Sequence, residues 1–219
     1  MRLFFALMYR LPRWLAAGLL QAFCLLAFAL GIRRRFALEG LAIAFPELGR
    51  FARLRLALRN YLHLGRCAAD FLRSPRMPAG ELEALVDADG WEKAEPYLKA
   101  KQGFVVATAH FGNFELFGVW ACRRGVPLTL LTRALRGRFN ASWVANRAIA
   151  GIREIHRGYE NLFEAVRRGE VLALLIDQNM LARRAIFVPF FGKLAATTPA
   201  PARVAERTGF VQFLKRLKP

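Results

Sequence analysis

The 219-residue sequence predicts an α/β protein: a mostly parallel sheet flanked by helices, preceded by an N-terminal transmembrane or membrane-anchoring helix. Three observations predict it. From residue 103 onward, apolar runs of strand length alternate with segments of helical period, the pattern of repeated βα units. Ahead of them, residues 36–75 place apolar side chains at three- and four-residue intervals. First of all comes a run from Trp14 to Ile32, nineteen residues with no charge, close to the roughly 20 needed to cross a bilayer core.

The N-terminal run reads "WLAAGLLQAFCLLAFALGI", with Gln21 as its single strongly polar residue. Arg10 and Arg13 precede it and Arg33, Arg34 and Arg35 follow at once. Positive charge on both sides leaves orientation open by the positive-inside rule, while the long basic segment after the run favours a body on the cytoplasmic side. A signal peptide fits poorly, since its apolar run is shorter and ends at a small-residue cleavage site. A buried core helix or a helix lying in the membrane interface satisfies the same composition. The expected division is residues 1–35 as a membrane helix with basic flanks and 36–219 as one α/β domain.

Ser74, Pro75 and Pro78 end the helical region. The more acidic segment 79–103 reads as short helices. "FVVATA" is then a buried strand, "NFELFGVWACRRG" a helix ending at Gly125, and "VPLTLLTR" a second strand. Helical "GRFNASWVANRAIA" and "YENLFEAVRRGE" lead into a third strand, "VLALLID".

Composition narrows the function classes. Apolar residues make up 55% of the chain, above the usual 45–50% or so, and the excess sits near the N-terminus. The formal charge is +18. Nucleic acid is one partner for such charge, but no zinc-finger spacing and no RNP-like aromatic motif occurs. Beside an apolar N-terminal run, the charge reads as attraction to a membrane surface and to anionic substrates. Cys24, Cys67 and Cys122 form no CxxC pair, so neither a disulfide framework nor a metal site is suggested, and no cofactor is implied.

The chemistry-bearing stretch is "ATAHFGNFELFG", residues 107–118. His110 and Glu115 are five apart, a poor spacing for one helix face. A strand-to-helix turn resolves this. His110 falls at the carboxyl end of the strand, Asn113 suits an N-cap, and Glu115 lies in the first helical turn, where the macrodipole favours a carboxylate. Glu115 could then orient the imidazole and leave its other nitrogen as a general base. The plain alternative is a surface histidine beside an ordinary helix-start glutamate. Backbone amides near Gly112 and Asn113 are candidate oxyanion donors. Asp177 and Gln178 end a buried strand, where a polar pair needs partners. Arg133 follows another strand end, and seven arginines with no acidic residue lie between Glu115 and Glu154. That stretch supplies a local positive field for phosphates or an acidic carrier.

The block 107–118 resembles the HX4D/E motif of glycerolipid-type acyltransferases, and more closely that of the late lipid A acyltransferase family. "LLIDQNM", "VPFFGKLAATTPAPARVAERTG" and "AIAFPEL" resemble three further blocks of that family, in order. The resemblance implies a membrane-bound O-acyltransferase at the bacterial inner membrane, its catalytic domain facing the cytoplasm. It implies His110 as base, Glu115 as its orienting partner, and Arg133, Asp177 and Gln178 in the substrate site. The implied donor is acyl carrier protein or acyl-CoA and the implied acceptor a glycolipid hydroxyl. A lysophospholipid acceptor, or an inactive membrane-binding protein, is the alternative. Family members continue past "ARVAERTG" with further strands and helices. The C-terminal part is thus expected to be missing relative to the family, with a sheet edge left uncovered and activity reduced.

Overall fold

The computed structural model describes residues 2–133, 137–156, 158–209 and 212–214. They form two units: Arg2–Arg73 with Val188–Ala195, and Ser74–Phe187 with Ala196–Pro219.

The first unit is helical, with α1 (Arg2–Arg10), α2 (Arg13–Ala29), α3 (Arg34–Ala44) and α4 (Arg50–Arg73). Helix α2 packs along α4, and the sequence permits a close approach. A Cβ at Gly65 would sit 2.8 Å from the Gln21 backbone, so only glycine fits there. Gln21 donates from Nε2 to the Leu62 carbonyl at 3.2 Å, so the polar residue of the apolar run has a partly buried acceptor. Arg13 grips Asp70 through two bonds, 2.8 and 3.0 Å long.

The expected N-terminal run is one helix over most of its length, Arg13–Ala29. Gly31 and Arg33 both take positive φ, 78° and 60°, and turn the chain after α2. No single described helix is long and apolar enough to cross a membrane; α2 and α3 meet that condition only together, bent by 86°. Residues 36–75 are helical as expected, in two helices, α3 and α4. Pro46 has no N–H to offer, and the chain breaks between Ala44 and Arg50.

The second unit holds the sheet. After short helices α5 (Ala79–Ala84) and α6 (Glu95–Lys99) come β1 (Phe104–Thr108), α7 (Phe114–Arg123), β2 (Leu128–Leu131) and α8 (Arg138–Ile149). Then follow β3 (Arg153–Ile155), α9 (Tyr159–Arg167), β4 (Val171–Leu175), β5 (Ile186–Phe190), β6 (Lys193–Thr197), α10 (Ala200–Thr208) and β7 (Gln212–Leu214). The five-stranded sheet runs β3-β2-β4-β1-β7, with all its pairs parallel. Strands β5 and β6 make a separate hairpin, whose residues 188–195 belong to the first unit. The sequence reading anticipated β1, β2 and β4 and did not single out β3, the hairpin or β7. Of the C-terminal "FVQFLKRLKP", only 212–214 are among the described residues.

Helices cover both sheet faces. Val105, Leu172 and Leu174 pack with Leu162, Val166 and Val204 of α9 and α10. Leu128 is register partner to Val171, so it points to the opposite face from Leu172, where α7 lies with Gly118 against Leu128 and Ile152. Each fully buried aliphatic side chain contributes about 1.5–3 kcal/mol to holding the strands. Their carboxyl ends are thereby fixed, and there the site is built.

Candidate active site

Strand pairing makes the first contact of the site. In the β1–β4 ladder Phe104 pairs with Val171 and Thr108 with Leu175. The Ile176 amide donates to the Thr108 carbonyl at 2.9 Å, carrying the ladder past the strand end. Two residues beyond each strand, in the same register, lie His110 and Asp177. The His110 backbone N–H donates to Asp177 Oδ2 at 2.8 Å, and Nδ1 lies 2.8 Å from Oδ1. A carboxylate only accepts, so in the neutral ring Nδ1 carries the proton and Nε2 presents its lone pair. Gln178 brings its amide nitrogen to 3.4 Å from Nε2. The Phe114 ring meets the imidazole edge to face at 4.9 Å. His110 and Asp177 side chains stay partly open to solvent, 38% and 31% exposed.

The expected pairing of Glu115 with His110 is not formed. Asn113 caps α7, its side chain accepting from the Leu116 amide at 3.2 Å, and Glu115 follows in the first turn. Its side chain, 8% exposed, turns instead to α8. Trp143 Nε1 donates to Oε1 at 2.9 Å. Arg147 donates from Nε to Oε2 at 3.0 Å and from its terminal nitrogen to Oε1. The same guanidinium reaches Glu154 in β3 at 2.7 Å, and Glu154 accepts from the Thr132 hydroxyl at 3.0 Å. Burial alone would lower the Arg147 pKa, but hydrogen bonds and charge from Glu115 and Glu154 outweigh it and the pKa is raised. The fork geometry of arginine suits two carboxylates at once. Glu115 therefore ties the first turn of α7 to α8 and β3, directly after the turn that carries His110.

The remaining candidates fall as follows. Gly112 takes φ +57°, a conformation glycine adopts without strain, and lets the chain turn between His110 and the cap. Gln178 joins His110 and Asp177, while Arg133 stands exposed past β2. Of the seven arginines, Arg147 serves Glu115 and Glu154, Arg124 pairs with Glu83, Arg153 with Glu170, and Arg123 donates to the Met77 and Ser74 carbonyls. Much of the expected positive field is thus paired. Arg136 and the side chain of Arg138 lie outside the described residues. Among the described residues no group of three His, Cys, Asp or Glu is arranged to hold a metal. Sequence reasoning missed Trp143, Arg147 and Glu154. Their only signal was Arg147 within the unpartnered basic stretch.

A histidine past one parallel strand end, held by an aspartate past its neighbour's end, lies where open α/β sheets bind ligands. Residues 2–214 match the bacterial lipid A biosynthesis acyltransferase family. The chain belongs to that family. The phosphatidylinositol mannoside acyltransferase of Mycolicibacterium smegmatis is 26% identical over 167 residues, 73% of this chain and 54% of the relative. The lipid A biosynthesis lauroyltransferase of Escherichia coli K12 is 23% identical over 201 residues, 85% of this chain and 62% of the relative. A phosphatidylinositol mannoside acyltransferase of Mycobacterium tuberculosis is 26% identical over 154 residues, covering 66% of this chain and 48% of the relative. The matched part thus spans about half to three-fifths of these family members.

Proposed function

We propose that the chain is a membrane-bound O-acyltransferase that moves a fatty acyl group from a thioester donor to a glycolipid hydroxyl. The observation that carries this reading is the His110–Asp177 pair, Nδ1 to Oδ1 at 2.8 Å, in a chain of this family. Asp177 holds the ring in the tautomer that leaves Nε2 as base. Nε2 takes the proton of the acceptor hydroxyl as its oxygen attacks the thioester carbonyl. The tetrahedral oxyanion collapses, the C–S bond breaks, and the thiolate leaves with the proton from Nε2. Backbone amides at Gly112 and Asn113, next to the amino end of α7, are the proposed donors to that oxyanion. No Ser or Cys lies in 107–118, so transfer is direct, without an acyl-enzyme. Glu115 acts through position, holding the turn rather than the imidazole.

Acyl carrier protein or acyl-CoA is the proposed donor, with exposed Arg133 as the proposed contact for its phosphate. The first acceptor is a lipid A precursor, at the cytoplasmic face of a bacterial inner membrane. A mannosylated phosphatidylinositol is a second acceptor, favoured by the mycobacterial relatives at 26% identity. Purified chain in detergent, given acyl carrier protein thioester and each acceptor in turn, tests both. Full turnover by His110→Ala would sink the mechanism. The apolar run 14–32 should hold the protein on membranes through a high-salt wash, since apolar burial is not screened; release by salt would sink the anchor.

A further inference from the structure

The hairpin tip is built against local preference. Strands β5 and β6 are joined by a two-residue turn whose residues, Phe191 and Gly192, both take positive φ, +48° and +68°. Such turns favour Asn-Gly or Asp-Gly. Glycine is at ease there, whereas a bulky aromatic residue with positive φ is an outlier. The rings are not hidden in return. Phe190 is 61% exposed, Phe191 54% and Leu194 70%. Phe190 and Phe191 touch each other edge to face at 4.7 Å, and Phe191 lies 6.3 Å from the Phe45 ring of the same helical unit.

We propose that this tip, Phe190, Phe191 and Leu194 beside Lys193, inserts into the headgroup boundary of an anionic lipid surface. The proposal deepens the membrane-bound reading above and rests on it. A strained residue such as Phe191, its side chain left exposed, points to a function rather than to packing. Charge selects the occupant. Lys193 is the only charged residue in 188–195, and no acidic residue occurs between Asp177 and Glu206. Across Arg2–Arg73 there are twelve arginines against Glu39, Glu47 and Asp70. The helices of this unit also expose Trp14, Phe23, Phe36 and Phe51. Nucleic acid would answer the charge but leave the aliphatic and aromatic groups in water. A second copy would answer the rings but repel through its own basic charge. Anionic lipid answers both, with apolar groups below the headgroups and cations among them.

The test uses the full chain with Leu194→Cys, labelled at pH 7 with an environment-sensitive fluorophore. The native thiols compete poorly: burial pushes Cys67 and Cys122 up to about 11 and raises Cys24 as well, so few are thiolates. Vesicles of phosphatidylglycerol and phosphatidylethanolamine should shift the label's emission to the blue, with quenching by lipids spin-labelled near the headgroup. Neutral phosphatidylcholine vesicles should do so weakly. In a second variant, Phe190→Ser with Phe191→Asn and Leu194→Ser, the asparagine tolerates the left-handed turn. Partitioning of that variant onto the anionic vesicles should fall about tenfold or more with an unchanged melting curve. A label that stays water-like while the chain floats with vesicles would overturn the tip's role and leave the membrane reading standing. No flotation at all would overturn both. A shift produced without lipid, by raising protein concentration or adding a soluble acyl thioester, would assign the tip to self-association or to the donor and overturn the proposal.

Discussion

Two carboxylates stand near the strand-to-helix turn that carries His110, and they are used in opposite ways. Asp177, past the end of β4, is partly open and spends both oxygens on His110, one on its backbone and one on its ring. Glu115, at the start of α7, is buried and spends both on Trp143 and Arg147. The first arrangement sets the tautomer of the neutral ring and leaves Nε2 beside the Gln178 amide, 3.4 Å away. The second closes an ion cluster in which one guanidinium serves two carboxylates, so it contributes rigidity. What separates them is which element they sit on. A side chain two residues beyond a strand stays in the sheet's register, while one in a helix's first turn is aimed by the helix at its neighbour.

The largest effect that would sharpen this contrast is His110→Ala. Acyl transfer should fall about 10²–10⁴-fold with melting unchanged, measured as single-turnover rates and thermal unfolding in detergent. Arg147→Met leaves Glu115 and Glu154 buried without their cation. It should cost roughly 3–5 kcal/mol of stability, read as a large drop in the denaturant midpoint. Asp177→Asn should lower kcat about 10²-fold, with little change in KM or melting. Glu115→Gln should show the reverse balance, losing about 1–3 kcal/mol of stability and losing rate only as the turn loosens. A stable Glu115→Gln protein without activity, beside a fully active Asp177→Asn protein, would break the contrast and return Glu115 to the imidazole. Smallest of all, Asn113→Ala removes the helix cap and should cost about 1 kcal/mol.

Much of the site was legible in the sequence because its parts are local. His110 at a strand end, Asn113 as cap and Glu115 in the first helical turn follow from a strand-length run meeting a helical one, and the structure has all three. Asp177 was legible as a strand terminus, but its partner was not, since the two residues are 67 apart in the chain. The pairing depends on β4 docking beside β1 rather than elsewhere in the sheet, a tertiary choice that hydrophobic period does not encode. The partner of Glu115 was hidden for the same reason, 32 residues away on α8. At the N-terminus the apolar run was legible as a helix, but its stop at Ala29, followed by positive φ at Gly31 and Arg33, was not. The grouping of α4 with α2 rests on Gly65, Gln21 and the Arg13–Asp70 pair, which no periodicity reveals.

The parallel ladder between β1 and β4 has one more consequence. Because His110 and Asp177 each lie two residues past the paired ends of β1 and β4, the two side chains meet only when those strands have zipped correctly. A slip of one residue would move every β4 side chain to the other face and part the pair. An activity that rests on this pair is therefore a gauge of the chain's own assembly. During synthesis no competence arises until the chain past Asp177 has emerged and paired. During unfolding, turnover should vanish with the central strands and outlast any fraying at β3, the edge strand farthest from β1.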